Sequence, residues 1–178
     1  MKTLLVHQVD EWMLDLDLTS FDIITFDDGL YTQYKYYKEF LKLKKPLYFF
    51  ISTSIICNGN QSKELIKCNE AHDLYFKSGD TSHYMTWEQV HELNDNGCII
   101  GGHSDTHPYL NNMSFIKQLK ESYSQSRMMM KVFNEHNISV TSFAYPYNFK
   151  CAGYDVLKRN GITQFFGDER IEIETLKG

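Results

Sequence analysis

Short apolar runs recur along the chain, and most are followed by a stretch of helical spacing. Leu4-Leu5-Val6, Ile23–Phe26, Leu47–Ile51, Cys98–Ile100, Val140–Tyr145 and Ile162–Phe166 are too short for helices and are bounded by polar or turn residues, so they read as buried strands. Ile171–Thr175 reads as a last, shorter one. Between them, Tyr34, Tyr37 and Leu41 recur at helical spacing from about Thr32, with Lys42, Lys44 and Lys45 at the C-terminal end and Pro46 beyond. Thr86-Trp87-Glu88-Gln89 is a capping box opening a helix that runs to Asn96 and stops at Gly97. A long helix is expected over Ser114–Glu135, with Ile116, Leu119, Tyr123, Ser126, Met130 and Phe133 as its apolar stripe, and a short one over Gly153–Asn160. The pattern weakens from Ser54 to Tyr84, where Lys63–Phe76 is the one helical candidate and the segment reads as an insertion or lid. Strands alternating with helices predict a largely parallel α/β sheet or barrel, and residues 1–178 read as one domain.

In such folds reactive groups gather at the C-terminal ends of strands. His7, Asp27, Asp28, His103, His107 and Tyr147 all fall at predicted strand ends. Thr25-Phe26-Asp27-Asp28-Gly29 places two carboxylates side by side after an apolar run. Alone it could be a solvated turn. Its weight comes from Gly101-Gly102-His103-Ser104-Asp105-Thr106-His107-Pro108, which also follows an apolar run. Two imidazoles and a carboxylate make a common metal set for a hydrolytic site with one position left for water. The second carboxylate would then be free to act as a base. Cys68 and His72 would share a helical face, but no further ligand lies near them in sequence, so no metal role is read there.

Composition narrows the partners. A net charge of −5 argues against nucleic acid or an acidic membrane surface. No run approaches 18 apolar residues, so no membrane span is expected. His7, Asp10 and Glu11 fall where a signal peptide needs an apolar core, which points to the cytoplasm. Cys57, Cys68, Cys98 and Cys151 show no paired spacing and read as reduced thiols.

The two fragments, Thr25–Gly29 and His103–Pro108, resemble the first two motifs of the polysaccharide deacetylase family, carbohydrate esterase family 4, and Phe143-Ala144-Tyr145-Pro146-Tyr147-Asn148 is similar to the third. The resemblance covers roughly residues 23–166. It implies a distorted, here shortened, (β/α) barrel and a metal-dependent hydrolase that removes an N-acetyl group from an amino sugar or sugar conjugate. A nucleotide- or lipid-linked sugar of surface-polysaccharide biosynthesis would suit a cytoplasmic enzyme. It further implies one divalent metal, most simply zinc, on Asp28, His103 and His107, with Asp27 as general base and the main chain at Tyr147 as oxyanion donor. Related members remove formyl groups or open cyclic amides, and a non-catalytic descendant is a further alternative. Two departures stand out. The third motif usually carries an Arg that holds the base, where this chain has Ala144. The family's general-acid His near the C-terminus has no counterpart, since no histidine follows His136. His7, or Asp27 shuttling the proton, is the expected replacement.

Overall fold

The computed structural model describes residues 1–177. Seven strands form one sheet: β1 (Thr3–Val6), β2 (Ile23–Phe26), β3 (Leu47–Ile51), β4 (Ile99–Gly102), β5 (Ser142–Ala144), β6 (Gln164–Phe166) and β7 (Ile171–Glu172). Their order is β6-β5-β4-β3-β2-β1-β7, and every pairing is parallel. The sheet curls into an open half-barrel, the distorted (β/α) barrel that the motifs imply. Helices α1 (Tyr31–Leu41), α2 (Cys68–Ser78), α3 (Trp87–Asp95), α4 (Phe115–Glu135) and α5 (Val156–Arg159) lie in the connections. Among the described residues no helix is long and apolar enough to cross a membrane.

Strands β1 to β6 neighbour one another in chain order, but β7 crosses to the free edge of β1, so the last strand lies beside the first. Strand alternation divides the side chains. Ile24 and Phe26 join the main core with Phe49, Phe40 and Val90, where Phe26 stacks on Phe49 at 4.5 Å between ring centroids. On the other face Ile23, Tyr48, Phe50, Ala144 and Phe166 form a smaller cluster. Both faces are full at β4. A Cβ on Gly101 would lie 2.5 Å from the Phe50 ring and 2.6 Å from Ser142 Oγ, and one on Gly102 would lie 2.4 Å from Met129 Sδ.

The Thr86 capping box forms as expected, with Thr86 Oγ1 accepting from the Gln89 N–H at 3.3 Å. Two expectations shift. The buried face of α4 is Ser122, Gln125, Ser126, Met129 and Phe133, whereas Ile116 and Tyr123 are exposed. Small and polar side chains take that face because Ser122 and Gln125 bond the neighbouring loops, through Cys151 Sγ and the amides of Asp105 and Thr106. The weakly patterned segment holds α2 later than expected, ending in the left-handed Gly79.

Candidate active site

Register sets the site. Val6 is level with Phe26, so His7 and Asp27 leave adjacent strands side by side. Gly102 is level with both Ile51 and Phe143, so His103 emerges between β3 and β5. Gln33, wholly buried on α1, donates to the carbonyls of both His7 and Asp27 and fixes that corner. Thr53 and Ser54 each donate at 2.7 Å to Asp105, tying the end of β3 to the histidine loop. The rim is strained as well as crowded. Of the seven described non-glycine residues with positive φ, five are here: Asp28, Ser104, His107, Tyr147 and Asn148. Such conformations cost about 1–3 kcal/mol each and persist only where the surroundings impose them.

The two carboxylates, both buried, face different partners. Asp27 receives a two-pronged ion pair from Arg170, Nη1 to Oδ1 at 2.6 Å and Nη2 to Oδ2 at 2.8 Å. Burial would raise the Asp27 pKa, but the Arg170 guanidinium and the His103 ring hold it below the usual carboxylate value. Arg170 also donates to Thr25 Oγ1 at 3.2 Å and to Asn148 Oδ1 at 3.1 Å, so one guanidinium ties β2 to the Tyr147 turn. Arg170 was not anticipated. It stands just before β7 and gives Asp27 the cation that the third motif, with Ala144, does not supply.

Asp28 has no such cation. Its contacts are three imidazoles and a thiol. Oδ1 lies 3.2 Å from His103 Nε2 and 3.2 Å from His107 Nε2, and the two nitrogens are 3.1 Å apart. Yet Asp28 Oδ1 is a buried oxygen without a hydrogen bond. His103 Nδ1 sits 2.8 Å from the Ala144 carbonyl, which can only accept, so Nδ1 carries a hydrogen and Nε2 is the nitrogen turned toward Asp28. Burial pushes His107 down to about 4, so that ring is neutral at pH 7. An unbonded carboxylate oxygen and two ring nitrogens converge here, and a cation among them would satisfy all three. Tetrahedral bonds of about 2.0–2.1 Å give ligand separations of about 3.3 Å, close to the triangle observed. The donor set fits a zinc-like divalent ion.

A model of the family described as polysaccharide deacetylase matches residues 22–166. The chain belongs to the polysaccharide deacetylase family. Solved structures agree on the fold of this deacetylase-family chain. IcaB from Ammonifex degensii superposes with a TM-score of 0.67 at 19% identity, over 97% of this chain and 84% of its own. A de-N-acetylase from Aggregatibacter actinomycetemcomitans gives 0.61 at 17% identity, over 94% and 76%. A mutant of BA3943, a family 4 pseudoenzyme, gives 0.51 at 16%, over 81% and 42%. No curated protein matches this chain by sequence.

The residues picked out in the deacetylase motifs and at the strand ends gather in one cavity of about 340 Å³, lined by His7, Asp27, Asp28, His103, His107 and Tyr147. Tyr147, in the left-handed region at φ 54, packs its half-exposed ring against His107 at 4.6 Å. His7 Nδ1 lies 3.3 Å from Glu172 on β7. Burial would lower its pKa, but the Glu172 hydrogen bond and the Asp28 and Asp27 charges raise it to about 9. Contrary to the sequence reading, Cys68 and His72 do have ligand-type neighbours: α2 brings both against Asp28.

Proposed function

We propose that the protein is a metal-dependent hydrolase that removes the N-acetyl group from an amino sugar or sugar conjugate, within surface-polysaccharide biosynthesis. The observation that carries this is the division of labour between adjacent carboxylates, Asp27 paired to Arg170 and Asp28 set with two imidazoles. Asp28, His103 and His107 would hold one divalent ion, most simply zinc, which when bound polarises the amide carbonyl and lowers the pKa of water.

The remaining chemistry belongs to the chain. Asp27, kept ionised by Arg170, takes the proton from the attacking water as oxygen bonds to the acetyl carbon. The main-chain N–H at Tyr147 donates to the developing oxyanion, and Arg170 positions that turn through Asn148. As the C–N bond breaks, His7 gives its proton to the leaving nitrogen, since an amide anion leaves too poorly. Glu172 keeps His7 charged for that step. Tyr147 and Tyr109, half-exposed and 5.0 Å apart at the cavity mouth, offer aromatic faces to a sugar ring.

The test is a panel of N-acetyl and N-formyl amino sugars, free, nucleotide-linked and lipid-linked, followed by release of primary amine and of acetate or formate. Acetate release by the zinc-loaded protein is expected. Asp27→Asn should keep the metal and lose turnover, whereas Asp28→Asn should lose both. Formate release in preference to acetate would reassign the activity to a deformylase. Equal metal content in both variants would overturn the assignment of roles.

A further inference from the structure

The three-residue metal set leaves α2 unexplained. This helix lies in the 54–84 segment between β3 and α3, and it lays His72 and Cys68, four residues apart, against Asp28. The two contacts differ. The Cys68 thiol donates to Asp28 Oδ2 at 3.1 Å. It thereby occupies the carboxylate oxygen that points away from His103 and His107. His72 Nε2 lies 3.4 Å from the same oxygen, a longer contact than the thiol makes.

We propose that His72 is a fourth protein ligand of the metal ion, delivered by α2. This rests on the reading of Asp28, His103 and His107 as the metal set. Ligand atoms of Asp28, His72 and His107 all lie within 4.8 Å of one another. The His72 ring stacks on His107, 4.7 Å between centroids and 17° from parallel, with both side chains nearly excluded from solvent. A metal-bound histidine is normally anchored through its other nitrogen. His72 Nδ1 is so anchored, 2.9 Å from the hydroxyl of the fully buried Tyr84, while His107 Nδ1 has no partner at all. The Tyr84 hydroxyl oxygen can accept from Nδ1–H, which leaves the Nε2 lone pair for the ion. Tyr84 is in turn bridged to Leu30, the residue after Gly29, so the anchor is built into the loop that carries Asp28.

With His72 added, three histidines and an aspartate would hold the ion, and movement of α2 would withdraw His72 and open a position for water. The helix becomes a lid latched by the metal.

Zinc content, zinc release to a chelator, and the visible spectrum of the cobalt(II)-substituted full chain test this in wild type, His72→Gln and His103→Ala. Gln retains a side chain able to bond Tyr84, which separates ligation from packing. Wild type and His72→Gln should each bind one zinc. His72→Gln should release it at least about tenfold faster, and its cobalt bands should weaken as water replaces a ring nitrogen. Release and spectrum identical to wild type, with His103→Ala emptied, would overturn the fourth ligand and leave the three-residue set standing. Two zinc ions in wild type and one in His72→Gln would also overturn it, in favour of a separate second ion. A fully loaded His103→Ala would instead refute the underlying metal set.

Discussion

Arg170 is the residue whose removal should be felt most. Its guanidinium is the fixed cation for Asp27 in a site that water barely reaches. Replacing one member of a buried pair leaves the other charge uncompensated, typically at about 3–5 kcal/mol. Arg170→Met should lower stability by about that amount in denaturant titration, and the double variant Asp27→Asn/Arg170→Met should recover most of it. A double variant no better than Arg170→Met would show that the loss is packing against Phe50. The pair also sets a pH window. The folded pKa of Asp27 is depressed, so its contribution is complete above the unfolded value of about 3.9 and lost as pH falls through the folded one. For His7 the direction is opposite. Its proton is held up to about pH 9, so turnover should fall as pH rises through that value. Glu172→Gln should move this alkaline limb down toward the ordinary histidine value of about 6.5, and a limb unmoved by Glu172→Gln would assign the proton to another group.

At the scale of elements, the ends of β2 and β4 do the placing, and β4 does it with two glycines. The Gly101 Cβ position meets an aromatic ring and a serine hydroxyl, whereas that of Gly102 meets the flexible end of Met129. Overpacking costs about 1–3 kcal/mol and depends on what can yield. Gly101→Ala should therefore be the costlier change in thermal melts, and Met129→Ala should rescue Gly102→Ala alone. If Gly102→Ala is the worse of the two, the interior at Phe50 is looser than its contacts imply. The α4 stripe shows why one face of a helix was misjudged from sequence. Spacing finds apolar positions, but α4 buries Ser122, Gln125 and Ser126 because loops from β4 and β5 bond to them. Bonds of that kind leave no periodic trace.

Across the whole molecule, the strand succession and both motif loops were legible, because local periodicity and strand-end placement act over a few residues. What stayed hidden was what the topology joins. Gln33 reaches back to β1 and β2, α2 folds over Asp28, and β7 pairs with β1 to deliver Arg170 and Glu172. An arginine between two short apolar runs near the end of a chain carries no local sign of its partner. His7 and Arg170 both lie outside the matched segment 22–166, on opposite sides of it. The Asp27–Arg170 pair therefore closes across 143 positions of chain. Distant pairings are slow to form, and contacts absent from the folding transition state govern how fast the native chain comes apart rather than how fast it assembles. Arg170→Lys should then steepen the loss of native protein after a jump into denaturant while leaving the refolding rate nearly untouched. A refolding rate that fell by the same factor would place this pair in the nucleus. The residue that steadies Asp27, the proposed base, would, on this kinetic view, be a latch on the finished molecule, setting its lifetime more than its formation.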